Sequence, residues 1–239
     1  MNDDANGDGP SAHASPPCFM HEIDPDYWGL AEAADPRQRA DVIRWRKAER
    51  ERLIAARRGI PKPARRAHSR RIAEALAKAI GEVSGLTVSV YWPIRGEPDL
   101  RDFLEHVAAG DGRTALPVVM KRGQALVFRA WSKGQPMVRG VWNIPVPTAD
   151  ADPVVPDVVI APVVGFDPKC YRLGYGGGYF DRTLAIMPGP VRIFGVGFRQ
   201  GGIPTIYPQP HDIPMDAVVT EDGLLLPEPS ESASLKKPS

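Results

Sequence analysis

The sequence predicts an open three-layer α/β sheet with helices on both faces, built by a single domain. Three observations predict it. Short β-branched runs alternate along the chain with stretches of helical periodicity, the pattern of strand–helix–strand units. One run, Val158-Val159-Ile160-Ala161-Pro162-Val163-Val164, is apolar without interruption, as a strand covered on both faces requires. A glycine cluster (Gly174, Gly176, Gly177, Gly178) then leads into a helical stretch, the punctuation of a tight strand-to-helix connection.

The elements follow in order. A first helix is expected over residues 36–58: Asp35 suits the N-cap, Pro36 suits the first turn, and Gly59 and Pro61 end it. Val42, Trp45, Leu53 and Ala56 are its expected core-facing residues. A second helix fits 64–80, where Ile72, Leu76 and Ile80 recur at every fourth position. Residues 87–91 read as a strand ending at Trp92-Pro93, and 99–107 as a helix. Residues 114–120 and 125–128 read as a strand pair across the turn Lys121-Arg122-Gly123-Gln124. The proline-rich stretch 121–156 is expected to form a flap or small subdomain. Residues 157–161 form the strand that feeds the glycine loop, and 179–186 the helix that leaves it. Residues 191–196 and 217–219 complete the strands. The domain spans 21–226, between polar tails at 1–20 and 227–239 that are expected to be disordered. Tyr27, Trp28 and Leu30 are apolar enough to dock on it. A sheet of this Rossmann-like kind binds ligands past the carboxyl ends of its strands. Glu97 and the glycine loop both follow such ends, so they are expected to converge.

Composition narrows the function. With 43% hydrophobic and 25% charged residues the chain can bury a core, and a net charge of +1 argues against a polyanion binder acting as a whole. The charge is uneven: residues 37–71 hold fourteen Lys/Arg against three Asp/Glu. That segment reads as a solvated helix face, as a nucleic-acid surface, or as a few cations reaching a small polyanion. Cys18 and Cys170 have neither a disulfide framework nor metal-ligand spacing. Met1-Asn2-Asp3-Asp4 lacks the charged-then-apolar order of a secretion signal, and no apolar run approaches the ~20 residues of a membrane span, so cytoplasm is expected and no membrane.

The glycine loop carries the chemistry. Glycines allow positive φ and close backbone approach, so successive N–H groups can point at one phosphate. The helix N-terminus adds partial positive charge, and Arg172 and Arg182 flank the loop. Asp181, an acid beside an anion site, points to a cation between them, Mg²⁺. Tyr179 stands where G-x-G-x-x-G needs its last glycine, and no Gly-Lys-Ser/Thr follows, so the loop is neither a dinucleotide fingerprint nor a Walker A loop. A tight turn that binds nothing remains the plain alternative.

The string Gly165-Phe166-Asp167 followed by Arg172-Leu173-Gly174-Tyr175-Gly176-Gly177-Gly178-Tyr179-Phe180-Asp181-Arg182 resembles the signature of the 5-formyltetrahydrofolate cyclo-ligases, also called 5,10-methenyltetrahydrofolate synthetases. Four further segments are similar in the same order. They are Arg46-Lys47-Ala48-Glu49-Arg50, Tyr91-Trp92-Pro93-Ile94-Arg95-Gly96-Glu97, Leu116-Pro117-Val118-Val119, and His211-Asp212-Ile213-Pro214-Met215-Asp216 with Val218-Val219-Thr220-Glu221.

The resemblance implies ATP- and Mg²⁺-dependent closure of 5-formyltetrahydrofolate, with ATP as co-substrate. It implies ATP contacts from Arg46, Lys47, Arg50 and the whole run Arg172, Leu173, Gly174, Tyr175, Gly176, Gly177, Gly178, Tyr179 and Phe180. It implies folate contacts from Trp92, Glu97 and Tyr175 through Tyr179, metal contacts from Asp181 and Asp212, and catalytic roles for Arg172, Tyr179 and Asp181. A monomer is expected, a dimer being the alternative. Read locally, Glu97 can instead cap helix 99–107, Asp212 can be a turn aspartate, and Trp92 can belong to the core. Gly177 stands where the family often has Lys or Ala, Phe180 replaces a common Tyr, Val146 replaces a common Glu, and Pro98-Asp99-Leu100 departs from the usual segment after Glu97. A diverged paralogue that binds ATP but takes another small substrate is the second reading, and a nucleic-acid module using residues 37–71 the third.

Overall fold

A computed structural model describes residues 36–229. The N-terminal tail, Tyr27, Trp28, Leu30 and the expected cap Asp35 lie outside the described residues, as does the C-terminal tail beyond residue 229. The described elements run α1 (Pro36–Gly59), α2 (Lys62–Ile80), β1 (Thr87–Ser89), α3 (Arg101–Ala109), β2 (Arg113–Val118), β3 (Val127–Ala130), β4 (Met137–Arg139), β5 (Pro145–Pro147) and β6 (Pro153–Val154). They continue with β7 (Val158–Pro162), β8 (Gly165–Phe166), β9 (Arg172–Leu173), α4 (Tyr179–Ile186), β10 (Arg192–Val196), β11 (Ala217–Thr220) and β12 (Gly223–Leu225).

The main sheet has the order β12-β11-β10-β7-β1-β2-β3-β6. Its centre, from β11 to β2, is parallel, and antiparallel strands close both edges. Parallel strands need covering on both faces, and the burial pattern supplies it. Val158 and Ile160 of β7 belong to one apolar cluster with Ile72 and Leu76 of α2 and Phe103 and Val107 of α3. Val159 belongs to another, with Leu184 of α4, Ile193 and Val218. Period-two alternation along β7 thus supplies both cores.

Boundaries differ from expectation for local reasons. Helix α2 starts at Lys62 rather than 64, because Pro63 is accommodated in the first turn, where its missing N–H costs no helical bond. Helix α3 starts at Arg101 rather than 99, since Asp99 is used to accept the Arg101 amide at 3.1 Å. Strand β3 begins at Val127 rather than 125; the Leu126 amide is taken by the Thr183 hydroxyl of α4 at 2.8 Å. The stretch 121–156 divides. β3 and β6 extend the main sheet, while β4 and β5 form a separate hairpin.

Helix α1 lies over the loops that leave the strands. Leu53 packs with Val164, Leu173 and Ile206, as expected, but Ala56 is exposed. The inward stripe is instead Arg46, Arg50, Leu53 and Arg57, each at most 6% exposed, at the i, i+4, i+7, i+11 spacing of one helix face. Among the described residues no helix is long and apolar enough to cross a membrane.

Candidate active site

The chain leaves β1 toward β2 on one side and leaves β7 toward β10 on the other, while β1 and β7 are hydrogen-bonded neighbours. Their carboxyl ends therefore border the crevice of a topological switch point. The loop after β1 brings Glu97 to it. The β8–β9 hairpin after β7 delivers the glycine loop, and the expected convergence is direct: the Tyr175 hydroxyl donates to Glu97 Oε1 at 2.7 Å.

A cavity of about 150 Å³ occupies the crevice, lined mainly by apolar and aromatic side chains such as Trp92, Leu116, Trp142 and Phe180. Its polar anchor is Glu97, 4% exposed. Glu97 is not a helix cap, since Leu100 holds the cap position of α3. Its Oε2 instead accepts the Ile94 amide at 2.7 Å within its own loop. Burial pushes the Glu97 carboxyl above the usual range, opposed first by the Arg57 charge and then by the Ile94 amide, Tyr175 and Arg95.

A smaller hollow of about 30 Å³ adjoins it, lined by Arg46, Arg50, Arg172, Asp181, His211, Asp212 and three of the glycines. The loop alternates between the two spaces. Gly174 and Gly176 line the hollow, Tyr175, Gly177, Tyr179 and Phe180 line the cavity, and Gly178 lines both. Gly176 at φ +104° and Gly178 at φ +62° lie where side chains are strained, so the bend needs glycine there. Gly178 takes the left-handed conformation immediately before α4.

Charges in the hollow are paired in advance. Arg172 donates to Asp181 Oδ2 at 2.6 Å, and Ile213 N to Oδ1 at 3.4 Å. Arg46 pairs with Asp212 and donates from Nε to Ile206 O at 2.9 Å. Asp212 also accepts the Gln209 amide at 2.6 Å, so it is a turn aspartate that also lines the hollow. Arg50 donates from Nε to Gly174 O at 2.7 Å, tying α1 to the loop. Burial lowers the His211 imidazole below its ordinary range, against the neighbouring Asp212 and Asp181.

Of the expected site residues, two stand apart. Lys47 is exposed and lines neither space, because at i+1 from Arg46 it projects from a different side of α1. Leu173 is buried in β9 against α1 and also lines neither. Trp92 is both core and lining: its ring meets Trp131 edge-on at 5.9 Å. The sequence reading assigned no role to Arg57, Trp142 or His211, which the structure places in or beside the two spaces. Arg57 was legible in the 46-50-57 spacing. Trp142, in the turn of the β4–β5 hairpin at φ +57° and 5.4 Å from the Tyr179 ring, carried no local signal.

The sequence profile described as the 5-formyltetrahydrofolate cyclo-ligase family matches residues 42–221. The chain belongs to the 5-formyltetrahydrofolate cyclo-ligase family. That span includes every expected site residue from Arg46 to Asp212. A cyclo-ligase from Mycolicibacterium smegmatis is 28% identical over 177 residues, covering 70% of this chain and 89% of that protein. One from Escherichia coli K12 is 35% identical over 103 residues, covering 41% of this chain and 57% of that protein. Among solved structures, the Aquifex aeolicus 5,10-methenyltetrahydrofolate synthetase aligns with TM-score 0.66 and 26% identity, over 80% of this chain and 96% of that one. The Mycoplasma pneumoniae synthetase aligns with TM-score 0.61 over 74% and 98%, and at 19% identity it speaks to the fold of this cyclo-ligase family member alone.

Proposed function

We propose that the chain closes 5-formyltetrahydrofolate to 5,10-methenyltetrahydrofolate with ATP, releasing ADP and phosphate. The observation that carries this reading is the adjacency of two unlike spaces that share Arg172 and Gly178. One is an aromatic cavity ending at a buried carboxylate, suited to a planar heterocycle with N–H donors. The other is an arginine- and glycine-lined hollow suited to phosphate.

The chemistry needs no nucleophilic side chain. The formyl oxygen takes the terminal phosphoryl group of ATP and ADP departs. N10 attacks the activated carbon and loses its proton, and the C–O bond breaks to release phosphate. Catalysis of phosphoryl transfer is mainly positioning and charge stabilisation. Glu97 orients the heterocycle, Tyr175, Tyr179 and Phe180 enclose it, and Trp92 and Trp142 exclude water. The Gly174–Gly178 amides with Arg46, Arg50 and Arg172 hold the phosphates. Arg172 stands at the junction, where negative charge crosses from one space to the other.

Mg²⁺ fits this donor set. Among the described residues no group of three or more His, Cys, Asp or Glu is gathered as ligands, but Mg²⁺ bound with phosphates and water needs only one or two carboxylates. Asp181 and Asp212 both line the hollow. Asp181 and Asp212 would hold the ion, which would supply positive charge against that of the phosphates, and Arg172 and Arg46 would be placed to donate to phosphate oxygens.

The test is the near-ultraviolet absorbance of methenyltetrahydrofolate on mixing the protein with 5-formyltetrahydrofolate, ATP and Mg²⁺, with ADP measured in parallel. Equimolar products are expected. Tight ATP binding without cyclisation would transfer support to a paralogue acting on another small substrate. The nucleic-acid reading loses ground because Arg46, Arg50 and Arg57 are turned inward.

A further inference from the structure

Arg57 is 4% exposed near the C-terminal end of α1 and lines neither space. All three guanidinium nitrogens donate. Nε donates to Arg95 O at 3.2 Å, one terminal nitrogen to Val163 O at 3.4 Å, and the other to the Tyr175 hydroxyl. Arg95 belongs to the loop after β1 and Val163 to the segment after β7, so one side chain joins α1 to both lips of the crevice. Tyr175 has a single proton. Having accepted from Arg57, it spends that proton on Glu97 Oε1 at 2.7 Å. The Arg57 guanidinium also lies 5.6 Å from the centroid of the Tyr175 ring.

We propose that Arg57 is a positioning residue which, through Tyr175, keeps Glu97 ionised and turned so that its carboxylate can accept two donors from the substrate heterocycle. This rests on the proposed function for the ligand's identity only. A carboxylate has about four acceptor positions. Tyr175 and the Ile94 amide fill one on each oxygen, which leaves one on each oxygen directed elsewhere. A protonated Glu97 would present a donor at one of those positions and repel an N–H.

Burial favours that protonated form, and the first influence opposing it is the Arg57 charge. The other groups facing Glu97 are Arg95 from its own loop, Tyr175 from the glycine loop and Tyr91 from the segment just after β1. Burial pushes both phenols well above their ordinary range, so neither titrates with Glu97. The Tyr91 hydroxyl donates to Pro98 O at 2.9 Å, and Asp99 is paired with Arg101 at 2.6 Å.

The experiment compares the full chain with its Arg57→Gln, Arg57→Lys and Tyr175→Phe variants. The Glu97 side-chain carboxyl is followed by ¹³C NMR against pH, with Glu97→Gln providing the assignment. Dissociation constants for 5-formyltetrahydrofolate and for a non-hydrolysable ATP analogue are measured over the same pH range. In Arg57→Gln the Glu97 titration should move up by about one unit or more, and folate affinity should fall about fivefold at the wild-type midpoint for a one-unit shift, approaching about tenfold per unit at lower pH. ATP-analogue affinity should stay within about twofold. Arg57→Lys should restore the titration without restoring folate affinity, because an ammonium lacks the planar fork that spans Arg95, Val163 and Tyr175.

An unmoved Glu97 titration in Arg57→Gln overturns the proposal, as does equal loss of folate and ATP-analogue affinity. If Arg57→Gln fails to fold, Tyr175→Phe, which breaks only the relay, must move the titration in the same direction, and no movement overturns the proposal equally. A wild-type protein that fails to bind 5-formyltetrahydrofolate while Glu97 still responds to Arg57 refutes the substrate reading and leaves the control of Glu97 standing.

Discussion

Asp181→Asn separates charge from shape at the centre of the hollow. Asn has the size of Asp and keeps an acceptor for the Ile213 amide, now 3.4 Å away. What it loses is the charge that pairs with Arg172 at 2.6 Å. The two side chains are 5% and 11% exposed, so solvent cannot replace the lost partner. Arg172 Nε is already buried without a hydrogen-bond partner, so the guanidinium depends heavily on this carboxylate. Breaking a buried pair from one side costs about 3–5 kcal/mol. In a domain of this size each kcal/mol corresponds to roughly 2–4 °C, so the melting temperature should fall by roughly 6–20 °C. Far-UV circular dichroism below the transition should be unchanged. Because the stranded charge is cationic, saturating pyrophosphate should recover more melting temperature in the variant than in the wild type. Turnover with 5-formyltetrahydrofolate should drop by at least about 10²-fold, on the scale of losing one preorganised charge in an active site. A melting temperature within about 1 °C of wild type would refute the account of the pair, and near wild-type turnover at limiting Mg²⁺ would refute the role of Asp181.

Three further outcomes are expected. Arg50→Ala should weaken ATP-analogue binding, measured by calorimetry, by about 1.5–3 kcal/mol for lost charged hydrogen bonds, whereas exposed Lys47→Ala should stay within about 0.5 kcal/mol; equal effects would contradict the placement of the α1 arginine stripe. Gly165→Ala puts a Cβ 2.7 Å from Leu53 Cδ1 and 3.2 Å from Gly201 O, so urea denaturation should show a loss of about 1–3 kcal/mol from overpacking beneath α1. Phe103→Ala, at a side chain 2% exposed between α3 and the sheet, should cost about 3–5 kcal/mol in the same assay, with nucleotide affinity retained in the folded fraction.

Much of the fold was legible because its signals are local. A short uninterrupted apolar run led by β-branched residues and followed by a glycine cluster fits a strand covered on both faces, and Val158–Pro162 is such a strand. The fourfold recurrence of Ile72, Leu76 and Ile80 states which face of α2 is buried. The glycine loop was legible because positive φ at Gly176 and Gly178 leaves little choice of residue, and the convergence of Glu97 with that loop followed from where strands end. Element boundaries were less legible. Leu126 is held by one hydrogen bond to Thr183, 57 residues away, and Asp99 by bonds to Ser69 and Arg101, contacts that no local pattern announces.

The division of labour inside the site was decided by tertiary structure. The resemblance grouped Lys47 with Arg46, and Leu173 with Arg172, yet a helix or strand sends neighbouring side chains in different directions. Only the packing of Leu53 against Gly165 and Leu173 determines which side of α1 faces the loops, and that contact turns Arg46, Arg50 and Arg57 inward together. The alternation of the glycine loop between cavity and hollow likewise exists only once both spaces have walls. Composition and periodicity dictated the elements, the glycine loop and its flanking arginines pointed to an anion site, and the folate chemistry was implied by the family resemblance. Which charge meets which carboxylate was settled by tertiary contacts: Arg46 reaches Asp212, 166 residues away, while Arg172 finds Asp181 nine residues on across the glycine loop, and neither pairing leaves a periodic trace in the chain.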